Sequence, residues 1–460
     1  MNTRKRTFIM QNLIRTCIAS SFLQTALTTA LPPMIRDLHI SVSEGQWLTS
    51  GYSLAMGIMM PLTAFLITRC PTKKLYVSAI GIFLMGLIVC IFATNFPVMM
   101  IGRVLQACSN GITSSMAQVV LLTIYPPEKR GTVMGWYGLS VGAAPVIAPT
   151  IAGVLVDTLG WRTIFVIAFV VLMLSFIMAL TSFDDVLDTY VKKFDICSFV
   201  LSALAFGGIT LGIGNLSALG ISAVRTSLPL VIGVIAGVLF TRRQLCLEEP
   251  FLNLHILKVP EYRLSVIGSM MLYLVMMGSS VIMPLYVQSI LGKSATISGL
   301  VTLPGSLTMA VISPFAGKIY DKIGMKKLAV TGTCMMMFST FGMSFIMADT
   351  SALVAAFLNV IRSVAIGCLM MPFVTFGISS MGSENTAHGT ALLTSLRTIA
   401  GAIGTAVFVG ILNVCEAGKV AASYPNPGIY GLHVTFACMT VVTVIMLAIM
   451  ITGMWKRSRV

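Results

Sequence analysis

Apolar stretches of about 20 residues, the length a helix needs to cross the hydrocarbon core of a bilayer, recur along this chain from end to end. The pattern predicts fourteen spans, at about 8–33, 46–68, 75–94, 97–125, 132–156, 162–182, 195–215, 226–241, 264–290, 297–320, 327–347, 351–379, 389–414 and 431–454. Hydrocarbon offers no partner to a loose backbone N–H or C=O, so each stretch must satisfy its own as a helix. The expected class is an all-α polytopic membrane protein.

The polar segments between the spans carry an alternating charge. If the N-terminus is cytoplasmic, 21 Lys and Arg fall on the cytoplasmic side and 5 on the other; the remaining four of the 30 (Arg15, Arg103, Arg362 and Arg397) lie inside predicted spans. Such a bias predicts that both ends of the chain are cytoplasmic. The longest cytoplasmic segments, about 183–194 and 242–263, flank the seventh and eighth spans. The organisation expected is therefore six plus two plus six: a first six-helix unit over 1–182, a two-helix insertion over 183–262 and a second six-helix unit over 263–460.

Composition agrees. Mean hydropathy is +0.94 and 10% of residues are charged, against about 25% in soluble domains. The net charge of +15 does not point to nucleic acid, because the cations are scattered in short clusters between apolar spans. The partner it implies is the lipid bilayer. Arg4, Lys5 and Arg6 precede an apolar run with no small-residue cleavage site, so the first helix is expected to be retained. The ten cysteines, mostly within apolar stretches, have no metal-ligand spacing and read as small buried hydrophobes. Paired methionines such as Met270-Met271 and Met370-Met371 read as packing residues. No cofactor or metal is expected. Four dispersed histidines without an intramembrane carboxylate build no catalytic centre, and no G-x-x-x-x-G-K-[ST] phosphate loop is present.

The chain repeats itself. Residues 314–327, PFAGKIYDKIGMKK, align without a gap on residues 61–74, PLTAFLITRCPTKK. Pro314 meets Pro61, Asp321 meets Thr68, and Lys326-Lys327 meet Lys73-Lys74. Further on, Arg103 in the fourth span matches Arg362 in the twelfth, and about 28 residues after each comes a Gly-Thr entering the next helix, Gly131-Thr132 and Gly389-Thr390. Three landmarks in one order indicate two related halves, and internal symmetry of this kind recurs in membrane transporters.

In the fifth span Gly138, Gly142, Ala143, Ala144, Ala148, Ala152 and Gly153 make a helix face with little bulk, against which another helix can lie closely. Pro145 and Pro149 remove two backbone donors and bend it. This is either a pivot between halves or ordinary tight packing.

With these motifs on the page the chain resembles the major facilitator superfamily, and within it the fourteen-span drug:proton antiporters of the EmrB/QacA type. The likeness rests on the antiporter motif Gly138–Gly153 with both prolines in register and on Arg103-Val-Leu-Gln106 in the fourth span. It rests too on the loop signature G-x-L-x-D-R-x-G-R-K, kept in the second half as Gly317, Asp321, Gly324, Lys326 and Lys327. In the first half Thr68 and Pro71 replace its Asp and Gly. The stretches TALTTALPPM (25–34), FDICS (194–198), PFLNLHILK (250–258) and MPLYVQSILGKSATISGLVTLPGSL (283–307) are also typical. The resemblance implies alternating access by two six-helix bundles around a central cavity. It implies a charge-relay lock, with Asp321 among Arg and Lys neighbours, and a fourth-span arginine that helps proton transfer. Many relatives carry an Asp in the first helix where this chain has Leu23.

All 15 acids lie in loops or at span ends. Charge at mid-bilayer costs about 2.5–3.5 kcal/mol on insertion scales, so the four span arginines must use carbonyls, helix ends, water or a ligand. The titratable candidates left for proton uptake are Asp157, Asp321, Glu384, His388 and His433, each at a boundary. Residues expected to line the cavity are Gln24, Thr25, Thr28, Tyr52, Gln106, Asn110, Tyr286, Gln288 and Asn359. Arg103, Gln106, Asp321, Gly317, Gly324, Lys326, Arg362 and Arg397 are the expected coupling and conformational set. The function expected is efflux of amphipathic small molecules, driven by protons, by a monomer in the cytoplasmic membrane. The alternative is export of a lipid-like or anionic metabolite, which an arginine-rich, acid-poor cavity favours.

Overall fold

The computed structural model describes residues 3–455, apart from 41, 188, 190–194, 220–222, 248–249, 294, 348–349, 383–384 and 422–425. The side chains of Thr28, Pro145 and Pro149, and residue Glu384, lie outside what is described. The helices are α1 (Thr3–Asp37), α2 (Val42–Arg69), α3 (Thr72–Ile91), α4 (Phe96–Ile124), α5 (Pro127–Leu159), α6 (Arg162–Ser182), α7 (Ile196–Leu219) and α8 (Val224–Cys246). A short turn, Leu254–Lys258, then leads to α9 (Pro260–Leu285), a π turn (Tyr286–Ile290), α10 (Ala295–Met343), α11 (Ala352–Ser379), α12 (Thr386–Ala421) and α13 (Pro427–Trp455). Among the described residues, 11 helices are long and apolar enough to cross a membrane.

Helix starts follow local chemistry. The Asn95 side chain accepts from Val98 N (3.0 Å) to cap α4, and Ser351 caps α11 through Leu353 N. Pro127 and Pro260 open α5 and α9, where a missing N–H costs nothing.

The predicted spans 297–320 and 327–347 fall within one 49-residue helical element, α10, broken at Gly324 (φ 74°, ψ 175°). The break reverses the chain. Gly305 lies against Asn359 and Ser363, and Gly367 against Met309 and Ile312, so the first segment follows α11. Gly342 lies against Leu358 and Gly332 against Leu369, so the second segment runs the other way. A positive φ is open to glycine without the steric penalty a side chain brings.

Packing repeats between the two ends of the chain. In the first group α1 packs on α5 and α6, α3 on α4 and α6, and α2 on α4; in the second α9 packs on α12 and α13, and α10 on α11 and α13. The groups meet through α5 against α10 and α11, and through α2 and α4 against α12. Helices α7 and α8 pair with each other, and α7 docks beside α2 and α12.

The join lies at one end of the helices. The core of the first group takes in Met371, Val374 and Ile378 from the end of α11 and Ala387, Ala391, Leu392 and Leu393 from the start of α12. Residues 386–395 are buried without interruption, and exposure begins at Leu396. The stretches flanking the insertion reinforce this end. Asp195 accepts from Arg243 Nε (3.0 Å) and Nη2 (3.1 Å), Ser198 Oγ accepts from Gln244, and Gln244 Oε1 accepts from Leu252 N (2.9 Å). Phe251 then stacks on Phe65 of α2, and Asn253 Nδ2 donates to Asn385 (3.1 Å). Of the cysteines, Cys197 and Cys246 are exposed rather than buried, and among the described residues all are free.

Candidate functional site: the seam between the helix groups

Where α5 meets α10 the backbones nearly touch. A methyl on Gly317 would overlap the Gly131 carbonyl; one on Gly135 would lie 2.6 Å from Ser313 O, and one on Gly138 2.7 Å from Met371 Cγ. With Gly142, which faces Met309, these glycines line one helix face at spacings of four, three and four, the pattern that lets helices approach closely. Of the expected low-bulk face, Gly138 and Gly142 lie at the seam, while Ala148 and Ala152 belong to the core of the first group. Gly153 is not part of it, for nothing lies within 4 Å of where its methyl would be. Gly135 was not singled out from sequence, although it sits on the same face four residues beyond Gly131.

Asp321 closes the seam. Its carboxylate accepts from Gly131 N (2.9 Å), Thr132 N (2.8 Å) and Thr132 Oγ1 (2.6 Å). The expectation of a charge relay with Arg or Lys neighbours is corrected: among the described residues Asp321 forms no ion pair. Backbone amides in the first turns of α5 satisfy it, and the positive end of that helix favours a carboxylate there. Lys326 is exposed. It lines a cleft of about 580 Å³ between α9, α10, α11 and α13, to which no expected cavity residue contributes.

The equivalent place in the other half has no such clasp. Thr68, which aligns with Asp321, donates to Phe65 O (2.9 Å) and Ala64 O (3.3 Å) of its own helix. Thr390, which aligns with Thr132, is fully buried, and its hydroxyl has no hydrogen-bond partner among the described residues. One acid does reach the first-half loop, but from the segment after α6: Asp185 accepts from Lys73 N (2.9 Å), while its neighbour Asp184 pairs with Lys5 at the start of α1 (2.8 Å).

The four span arginines have separate fates. Arg103, 1% exposed, donates to Leu48 O (3.2 Å) and Gln106 Oε1 (2.8 Å), and lies 4.1 Å over the Tyr52 ring. Gln106 passes the chain on to Gly86 O (3.1 Å), and Asn110 donates to the Tyr52 hydroxyl (2.9 Å). Four expected residues thus form one cluster, with a carbonyl and an aromatic face in place of a carboxylate. Arg362 donates to Asn359, whose amide faces α10 at Thr302 O (3.5 Å). Arg15 is exposed on α1 with Nη1 3.0 Å from Met178 Sδ. It is not a buried charge, and its long stem can carry its head toward water.

Arg397 stands elsewhere. Its guanidinium lies 4.9 Å over Tyr273 of α9. Tyr137 of α5 bonds with Gln118 Nε2 (3.3 Å) and Ser114 O (3.3 Å). Tyr137, Tyr273 and Gln118 were missed from sequence. Nothing in their spacing marks them, since an aromatic at a helical period reads as core.

The other expected cavity residues scatter. Gln24 and Thr25 are partly buried on α1, with the Thr25 hydroxyl returned to Ser21 O (3.2 Å). Tyr286 is buried in the core of the second group with its hydroxyl at Met347 O (3.5 Å), and Gln288 is exposed. Both lie on the π turn after α9, away from the seam. His388 accepts from Asn253 N (3.5 Å), His433 contacts Ile346 O (2.6 Å) and Asp157 is exposed, so these three remain boundary residues.

Repeated helix groups joined by a glycine seam, in a chain apolar enough to span a bilayer many times, define a polytopic transporter architecture. The family model described as Major Facilitator Superfamily matches residues 16–405, and the chain belongs to that family. It is 32% identical over 451 residues to the uncharacterized MFS-type transporter YcnB of Bacillus subtilis, covering 97% of this chain and 96% of that protein. It is also 32% identical over 392 residues to the lincomycin resistance protein LmrB of Listeria monocytogenes, covering 85% of this chain and 83% of LmrB. The fold matches that of the human organic anion transporter MFSD10 with a TM-score of 0.67 at 12% identity, covering 98% of this chain and 100% of that one. It matches the proton:xylose symporter XylE with a TM-score of 0.64 at 15% identity, covering 99% and 96%.

Proposed function

We propose that this protein exports amphipathic small molecules across the cytoplasmic membrane by alternating access, exchanging them for protons. The observation that carries the reading is the one-sided join: Asp321 fastened to Gly131 and Thr132, with the glycine seam at the same end. A contact that holds two related helix groups at one end only is the element a rocking transporter must make and break. The cation bias supports a cytoplasmic setting for that end and for both chain termini. Fourteen crossings follow if α1 and α5 span and α10 counts as two, giving units over 1–182, 183–262 and 263–460. The protein acts as a monomer. Relatives named for lincomycin resistance and multidrug transport support drugs as the substrate class.

The reading is tested by loading reconstituted vesicles with a pH gradient and following a fluorescent amphiphile. Accumulation that persists after the gradient is collapsed would rule out proton coupling.

A second reading, export of a lipid-like or anionic metabolite, is favoured by one observation. The spans carry three buried arginines, and among the described residues none of them pairs with a carboxylate.

A further inference from the structure

Buried arginines cost free energy that something must offset, and the three here differ in how that is done. Arg103 is matched by a carbonyl, an amide oxygen and a ring within its own helix group. Arg362 uses Asn359 on its own helix through Nη2, and its Nε and Nη1 find no partner among the described residues. Arg397, 6% exposed, leaves the same two nitrogens without a partner among the described residues and lies over the Tyr273 ring.

Its position separates it further. Tyr273 of α9, the first helix of the same group, lies beneath it with its ring centre 4.9 Å away. Arg397 also stands just past the continuously buried stretch 386–395 of α12, beyond the partly buried Leu396. An aromatic ring fixes the planar cation, and the unpartnered Nη1 belongs to the end-on fork, Nη1 with Nη2, that matches a carboxylate, sulfonate or phosphate.

We propose that Arg397, held over the ring of Tyr273, is the receptor for the anionic group of an amphipathic substrate. The assignment rests on the exporter reading above and narrows its substrates to anionic amphiphiles. A substrate anion completes the hydrogen bonding of Arg397, so its binding energy is available to bias the equilibrium between closed and open arrangements of the seam.

The test uses full-length protein in nanodiscs, titrated with dansylaminoundecanoic acid and with its methyl ester, after subtraction of signal from protein-free nanodiscs. The acid is expected to bind about tenfold or more tightly than the ester, the ratio set by a charge-assisted hydrogen bond. Arg397→Gln is expected to abolish that preference, and Arg397→Lys to retain part of it, since the charge stays and the fork is lost. Equal affinity of the wild type for acid and ester overturns the anion receptor and leaves amphiphile export standing. A preserved preference in Arg397→Gln overturns the residue assignment. Binding of neither probe overturns the amphiphile reading and the receptor with it. If Arg397→Gln does not fold, the wild-type ratio and Arg397→Lys decide: a preference unchanged in the lysine variant counts against the fork.

Discussion

Asp321 and Thr132, 189 residues apart, are joined twice: the carboxylate accepts from the Thr132 amide at 2.8 Å and from its hydroxyl at 2.6 Å. This clasp, with the Gly131 amide beside it, ties the second helix group to the first.

Its removal should loosen one state of the transporter. Asp321→Asn keeps the shape but loses the charge, and each charge-assisted hydrogen bond contributes about 1.5–3 kcal/mol. We expect the population with α5 and α10 in contact to fall by about tenfold or more, read as a lengthened spin-label distance between the two helices, with transport slowed.

The glycine seam should tolerate no methyl. Gly317→Ala would press into the Gly131 backbone, which cannot move aside as a flexible side chain can. We expect closure of the seam to be abolished and transport to be lost. Gly153→Ala, with open space around it, should leave transport near the wild-type rate. Equal effects from both substitutions would sink the seam.

The missing clasp should be restorable. Thr68→Asp places a carboxylate at the position equivalent to Asp321, where the buried Thr390 hydroxyl lacks a partner among the described residues. A gain on the order of 1 kcal/mol would raise the melting temperature by about 2 °C and slow turnover by over-stabilising the closed end. An unchanged melting temperature together with unchanged turnover would show that the two halves do not share this geometry.

The brace of the insertion should fail in acid. Burial raises the Asp195 carboxyl, but hydrogen bonds from Arg243 and Ser198 outweigh it and hold the group down at about 2, below its ordinary value of 3.8. A depressed carboxyl contributes stability that is present above the ordinary value and is lost as pH falls through the depressed one. The melting temperature should therefore drop between pH 3.8 and about 2. In Asp195→Asn that drop should be absent and stability at neutral pH lower, measured by thermal melts in nanodiscs.

Much was legible because helix formation in lipid is a local matter. The hydropathy pattern marks where each span begins and ends, the loop cations give the alternation, and the aligned Thr68–Asp321 and Thr132–Thr390 positions revealed the repeat. The Arg103–Gln106 pair was legible as well, being three residues apart on one helix. The roles of Tyr286 and Gln288 were not, because the π turn they occupy carries them off the helix face that the pattern implied.

The sequence by itself thus determined the membrane class, the approximate places of the long apolar helices, the repeated landmarks of the two halves and the scarcity of acids within the apolar stretches. Only the tertiary structure decided that Asp321 binds amides rather than cations, that Arg15 faces outward, that the Thr390 hydroxyl has no partner among the described residues, and that Arg397 lies over Tyr273. The division has one physical cause. Hydrophobic burial in lipid depends on composition along a segment. Which polar atom meets which depends on how each helix is rotated about its axis and where it crosses its neighbours, and that is set by packing between residues far apart in the chain.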